Sequence, residues 1–356
     1  MNSPGSPAPL RVGLVGYGPA GSFFHAPLIA ATPGLALDTI VTGSPERREQ
    51  ARGEHPDVGF AATADELWAR AADLDLVVLA SPNRTHVALA TAALNAGLPV
   101  VVDKPIAGTA AEARALADLA EARGLLLTVF QNRRWDSDFR TLRALLAGGR
   151  LGEVRRFESR FERWRPQLKG GWRESGDPAE VGGLLYDLGA HLVDQALTLF
   201  GPARLVYAES DVRRPGAAAD DDSFIALTHV NGVRSHVWMS ATASRLGPRF
   251  RVLGSTGGYV VHGLDSQEAA LRAGLRPTAG AAWGVEPESA WGSVGTDDEV
   301  SPEPSLPGDY PAFYAAVERA LRDGTAPPVT AREAAAALDV IEAAHRSARA
   351  GRTVEL

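Results

Sequence analysis

The chain has 356 residues, enough for about two domains that each enclose a core, and its composition (45% hydrophobic, 22% charged) excludes a disordered chain or a disulfide-stapled miniature. A formal charge of −7 supplies no general cationic field for nucleic acid or an anionic membrane, so the expected partner is a small molecule and neither of those. With no cysteine, disulfides, thiolate nucleophiles, iron–sulfur clusters and thiolate zinc sites are excluded as well.

Residues 1–9 read as a flexible N-terminus. They lack both the cationic start and the apolar core of about 7–15 residues that mark a secretory signal, and no later apolar run approaches a membrane span, which predicts a cytoplasmic protein. Residues 10–133 alternate short apolar runs with helical patterns. The runs Arg11–Gly16, Ala36–Thr42, Leu76–Ala80, Leu98–Val102 and Leu125–Phe130 are nearly continuous in apolar residues, as strands covered on both faces require. Thr63 with Glu66 and Thr109 with Glu112 are capping-box pairs between them, and Gly97 and Gly124 stand where left-handed helix stops belong. The pattern predicts a doubly wound parallel sheet of the Rossmann kind, whose ligands lie outside the carboxyl ends of the strands.

The texture changes over residues 134–356. A helix near Ser137–Ala147 precedes strand-like runs at Glu153–Glu162, Ala203–Arg213, Phe224–His229, Val233–Ala243, Phe250–Gly254 and Gly257–His262, with a strong helix at Leu184–Phe200. This predicts an α+β domain with a mostly antiparallel sheet. Residues 276–309, rich in Pro, Gly and Ser, read as a long surface loop over a site or an interface. Helices near Tyr310–Arg322 and Ala331–Ala350 close the chain.

Gly16-Tyr17-Gly18-Pro19-Ala20-Gly21 is a GxGxxG turn between an apolar strand and a helix. Gly16 permits the turn, Gly18 lets backbone approach a pyrophosphate, and Gly21 allows close packing. The second strand ends in Val41-Thr42-Gly43-Ser44 without an acid to bond a ribose hydroxyl, while Ser44 and Arg47 or Arg48 suit a 2′-phosphate. NADP is therefore favoured over NAD. Asp38 lies too early and Glu46 past the tip. Two further strand ends, Ser81-Pro82-Asn83 with His86 and Asp103-Lys104-Pro105, face the same crevice. For Pro82 and Asn83 the alternative is turn chemistry at a helix start, and for His86 it is capping or packing.

Only two of the 36 Lys and Arg residues are lysines, Lys104 and Lys169. An ammonium at a strand's carboxyl end can hold a substrate oxygen or relay a proton as arginine cannot. Asp187 and His191 are four residues apart on a helical pattern, with Asp194 a turn further, and a carboxylate beside an imidazole is a usual acid/base arrangement. The competing readings are a satisfied helix-face pair or half of a metal site, and hydride chemistry requires no metal.

The turn, the DKP segment and GGLLYDLGAHLVDQ together resemble the Gfo/Idh/MocA oxidoreductases; GYGPAGSFFHAPLI, FQNRRWDSDF and GWRES are similar to the branch that contains NADP-dependent scyllo-inositol dehydrogenases. The resemblance implies reversible oxidation of a secondary alcohol on a cyclic polyol or sugar, with Lys104, Asp187 and His191 as catalytic residues. His191 would take the hydroxyl proton, Asp187 would orient His191 or bind the adjacent hydroxyl, and Lys104 would hold the reacting oxygen. It also brings Asn132 and Arg133 toward the substrate, Trp172 and Arg173 toward the cofactor, and Tyr310 near the pocket, and it implies that residues 134–356 form an open, mainly antiparallel sheet domain that binds substrate and mediates oligomerisation into a homodimer or homotetramer. Asp103 replaces the family's usual glutamate. A dinucleotide-responsive regulator, or a sugar hydrolase or epimerase that retains its nucleotide, remains open on the same scaffold.

Overall fold

The computed structural model describes residues 7–277 and 282–356, so most of the expected flexible N-terminus, residues 1–6, lies outside the described residues. Strands β1 (Leu10–Val15), β2 (Leu35–Val41), β3 (Gly59–Ala61), β4 (Leu76–Leu79), β5 (Val100–Asp103) and β6 (Leu127–Phe130) form one parallel sheet in the order 3-2-1-4-5-6. Helices α1 (Ala26–Ala30), α2 (Pro45–Glu54), α3 (Ala64–Trp68), α4 (His86–Asn95) and α5 (Ala110–Ala122) lie on its connections. The five anticipated strands are present, and Val77, Val78, Val100, Val101 and Val102 are wholly enclosed. Strand β3 was not anticipated; three residues, Gly-Phe-Ala, carry no apolar run to betray it. Thr109 and Glu112 form the full capping box, whereas Glu66 turns its carboxylate to the Ala62 N–H instead of that of Thr63. The strand order reverses between β1 and β4, which opens the crevice at their carboxyl ends.

After α6 (Ser137–Ala147) the chain builds the second sheet from β7 (Val154–Glu162), β8 (Ala203–Asp211), β9 (Asp222–His229), β10 (Arg234–Ser240), β11 (Phe250–Gly254), β12 (Gly258–Val261), β13 (Gly292–Gly295), β14 (Val300–Glu303) and β15 (Val354–Glu355). The order is 14-13-12-11-7-10-9-8-15, antiparallel except where β7 runs parallel to β10. Helices α7 (Ala190–Phe200), α8 (Gln267–Arg272), α9 (Pro311–Asp323) and α10 (Ala331–Ala350) complete the fold. The segment 276–309 is not one long loop: it holds β13 and β14, whose Ser, Gly and Pro content hid their alternation, and they extend the sheet at its edge. None of its described residues lines the cleft between the two sheets.

Helix α7 lies on the second sheet against β7 and β10, and α10 bridges the halves by packing on α5 and β6 as well as on α7 and β8. Arg134 ties the same junction. Its guanidinium grips Asp194 at 2.6 and 2.8 Å and Glu333 at 3.0 Å, with the Arg134 and Asp194 side chains 9% and 3% exposed. Asp194, the third polar residue of the mid-chain helix, is thus a structural anchor. Replacing it leaves a buried guanidinium without its two-oxygen partner, a change that costs about 3–5 kcal/mol when no other group compensates. With Glu333 still in place, Asp194→Ala should cost about 3 kcal/mol, read as a lower urea midpoint at unchanged slope; an unshifted midpoint would refute this anchoring.

Candidate active site

The glycine turn is dictated by contacts. Gly16 has φ +99°, and a Cβ there would lie 2.6 Å from the Ala80 carbonyl oxygen at the end of β4. A Cβ on Gly21 would overlap the Gly16 carbonyl. At Gly18 only the Arg47 guanidinium lies within 4 Å of the Cβ position, so the backbone is open on that side. These residues fit a dinucleotide: the cradle is one that side chains would fill, and it faces the start of a helix. Pro19 and Ala20 line the cleft, whereas Tyr17 turns its ring inward, 1% exposed, and donates its hydroxyl to Glu54 at 2.8 Å. Only the Tyr17 backbone belongs to the turn's outer surface.

At the tip of β2, the Thr42 hydroxyl accepts from the Ser44 N–H at 3.3 Å, and Ser44 caps α2 by accepting from the Arg47 N–H at 3.3 Å. Arg48 donates to the Thr42 carbonyl at 3.5 Å, while Asp38 is held by Arg70. No carboxylate stands at this tip, and the Arg47 side chain reaches back over Gly18.

The next strand ends are braced against one another. His86 is fully buried with its ring nitrogens 2.8 Å from the Pro105 carbonyl and 2.9 Å from that of Ser81. It therefore ties the two strand ends together and does not face the cleft. The Ser81 hydroxyl meets that of Thr85 at 2.7 Å, Pro82 leads into the turn, and the Asn83 amide donates to the Val181 carbonyl at 3.1 Å, which fastens this loop to the second domain.

Lys104 follows β5 and crosses to the segment before α7. Its ammonium donates to the Asp187 carbonyl at 2.5 Å and to Asp187 Oδ1 at 2.9 Å. Two of its three protons are thereby used, which leaves one for a substrate oxygen. Arg173 Nε lies 3.6 Å from the same carboxylate and its guanidinium stacks on Trp172 at 4.2 Å. Burial pushes the Asp187 carboxyl upward, but the charges of Lys104 and Arg173 prevail and hold it down at about 2. Asp187 thus does not orient His191: a carboxylate next to two cations is claimed by them in preference to a neutral ring. Residues Leu185–Gly189 also wind as a wider turn, with α-helix beginning only at Ala190.

The group that orients His191 is Gln131. Its amide nitrogen faces the Ala190 carbonyl at 3.4 Å, so its oxygen faces His191 Nδ1 at 3.1 Å and accepts that N–H. This fixes the tautomer with a free lone pair on Nε2, directed toward the cleft that the ring lines. Burial, followed by the positive charges of Lys104 and Arg133, holds the His191 pKa well below its ordinary value. The ring is a neutral base at pH 7.

Lys104 after β5, Asp187 on the turn before α7 and His191 in α7 line a single cleft of about 520 Å³ together with Pro19 and Ala20 of the glycine turn. The same pairing of domains is found in known proteins. Residues 10–131 match the oxidoreductase family's NAD-binding Rossmann fold, and residues 143–356 match its C-terminal alpha/beta domain. The chain belongs to the Gfo/Idh/MocA oxidoreductase family. It is 43% identical over 351 residues to the oxidoreductase YdgJ of Escherichia coli K12, covering 96% of each chain. It is 33% identical over 351 residues to IolW of Bacillus subtilis 168, a scyllo-inositol 2-dehydrogenase (NADP(+)), covering 98% of this chain and 96% of that one. The solved structure of YvaA from Bacillus subtilis superposes with a TM-score of 0.92 at 32% identity, over 98% and 99% of the two chains.

Within this Gfo/Idh/MocA chain, the departure at Asp103 leaves the lysine in place: its Oδ1 accepts the Lys104 N–H at 2.9 Å and lies 3.9 Å from the buried His25. Asn132 and Arg133 line the cleft too, but the Arg133 guanidinium is committed to Asp136 at 3.3 Å, to Glu268 and to the Tyr310 hydroxyl at 3.3 Å. Tyr310 is fully buried behind it, donating to Asp136 at 2.8 Å. Phe161, Arg163, Arg165, Lys169, Glu268 and Arg272 also line the cleft, and the sequence reading did not select them. Lys169 had a signal, being the other lysine; Gln131 had none beyond its place after β6. Gln131→Leu removes the acceptor for the His191 Nδ1–H. It should lower turnover roughly tenfold or more, short of the roughly 10²–10⁴ carried by the base itself, while dinucleotide affinity measured by fluorescence titration stays constant. Equal losses in both would mean that Gln131 shapes the fold and not the ring.

Proposed function

We propose that this oxidoreductase interconverts a secondary alcohol and a ketone on a cyclic polyol or sugar, with NADP as the preferred cofactor. The observation that carries the reading is the convergence of Lys104, Asp187 and the Gln131-oriented His191 in one cleft beside the glycine turn. The name of IolW, which spans nearly the full chain, supports the polyol class and the nucleotide. The bare tip of β2 and the Arg47 side chain over Gly18 support NADP independently, because a 2′-phosphate is repelled by a carboxylate and attracted by a guanidinium.

Nicotinamide, when bound, supplies the hydride acceptor or donor. The remaining work belongs to the chain. The free Lys104 proton hydrogen-bonds the reacting oxygen, and the ammonium stabilises charge as the hydroxyl loses its proton. His191 Nε2 takes that proton as the carbon-bound hydride leaves. Asp187 keeps Lys104 aimed, and is itself positioned to accept from a neighbouring hydroxyl. In the ketone-reducing direction the imidazolium returns the proton, and its depressed pKa makes it a ready donor.

A panel of inositols, aldoses and their ketones assayed with both nicotinamides tests the reading; stoichiometric change in nicotinamide absorbance is expected, and none with any member would overturn it. His191→Ala should lower the chemical step by roughly 10²–10⁴ with dinucleotide binding intact. Because the ring stays neutral until well below pH 6.5, kcat/KM for alcohol oxidation should lose its base only on the acid side of that value; an acid limb above pH 7 that vanishes in His191→Ala would contradict the assignment. Ser44→Asp retains a helix cap, so its effect reads cofactor choice: affinity for NADP should fall more than for NAD, and an unchanged preference would refute the strand-tip argument.

A further inference from the structure

Most of the cations around the cleft are already engaged. Lys104 and Arg173 hold Asp187, Arg133 holds Asp136 and Glu268, and Arg272 holds Glu268 at 2.9 Å. Three are not. Among the described residues, the side chains of Arg163, Arg165 and Lys169 make no ion pair and no hydrogen bond, although all three line the cleft. Arg163 rests over the Phe161 ring at 4.6 Å. Its burial, with Arg165 adjacent, lowers its pKa to about 10. Asp187 and Glu268 oppose that shift without bonding to the guanidinium, so its burial is not offset by a paired carboxylate, which is costly for a charged group.

Their location separates two uses. The same three residues, with Arg173, Asp187 and Leu188, also line an adjoining pocket of about 300 Å³. That pocket includes no residue of the first sheet or its glycine turn. Dinucleotide phosphates belong at the turn, so a negative group attracted to these cations would be part of the other reactant.

We infer that the substrate is an anionic polyol or sugar, a carboxylate or a phosphate monoester, whose negative group sits against Arg163, Arg165 and Lys169 while its ring alcohol meets Lys104 and His191. The inference rests on the alcohol-oxidation reading above and narrows its substrate class. Each charge-assisted contact of this kind changes affinity by roughly 10-fold or more.

The test uses the full-length protein with NADP or NADPH and matched ligands: glucose, glucuronate and glucose 6-phosphate, and myo-inositol with a myo-inositol monophosphate. Kinetics give the acidic-to-neutral ratio of kcat/KM, and calorimetry on the NADPH-loaded protein gives the same ratio for binding. Expected are a ratio of at least tenfold in favour of one acidic series, its decline with added salt, and a 10- to 100-fold fall in Arg163→Gln, Lys169→Gln and their combination. Which series wins distinguishes carboxylate from phosphate. Since Arg163 is partly buried, Arg165→Gln and Lys169→Gln, both at exposed positions, keep the test valid if the first variant misfolds. Neutral ligands equal to or better than acidic ones, a ratio that the variants leave unmoved, or a matching loss of NADPH affinity, which would make the cations a cofactor clamp, would each overturn the inference. Acid binding with no turnover of any alcohol would uphold the anion site and overturn the alcohol-oxidation reading instead; turnover of neutral polyols without acid preference would do the reverse.

Discussion

The contact between Lys104 and Asp187 organises the cleft. One partner ends a strand of the parallel sheet, the other sits on the turn before α7, and the ammonium reaches both the carbonyl and the carboxylate of the same residue. A cation held that way is fixed in position, and three further properties accompany it. The carboxylate is withdrawn from His191, so the ring takes its orientation from Gln131. Burial disfavours a charged imidazole, and the positive charge of Lys104 adds to it, so Nε2 stays unprotonated. One lysine proton is left over at the cleft that Lys104 lines. The proposed acid/base chemistry would thus be a by-product of how the two halves are joined.

Much of this was legible in sequence because it rested on strong local signals. Buried parallel strands show as apolar runs, and a GxGxxG between strand and helix allows few backbone paths. Lys104 stood out because a lysine is rare here and lay at a strand end. The parts that could not be read were those set by tertiary partners. The i, i+4 spacing of Asp187 and His191 suggested a pair, but spacing is blind to a cation arriving from another domain. Strands β13 and β14 consist of Gly, Ser, Pro and few apolar residues, and exist as strands because β12 offers an edge to pair with. The parallel pairing of β7 with β10 depends on chain routing through α7, β8 and β9, which no local pattern encodes. Both wider helical turns, Ala20–His25 and Leu185–Gly189, adjoin the cleft, and neither was distinguishable from ordinary helix in advance.

Arginine usage draws the sharpest contrast within the molecule. Where a guanidinium is buried for structural reasons, the chain supplies partners for it. Arg249, 2% exposed, meets Asp138 at 3.2 Å, Ser159 at 2.7 Å and Gln195 at 2.8 Å; Arg134 meets Asp194 and Glu333; Arg214 meets Asp221 and Glu174. Burial penalises an unpaired charge steeply, so these sets mark positions where folding alone determined the neighbours. The stretch from Arg163 to Lys169 departs from that habit. Arg163 is partly buried and Arg165 and Lys169 are exposed, yet all three line both pockets without a bonded carboxylate. Self-repulsion of that kind destabilises the free protein and is relieved when an anion enters, which is how a site converts stored electrostatic strain into preference for a charged ligand. On the lining that the two pockets share, such cations would discriminate between reactants that share a ring and differ only in charge.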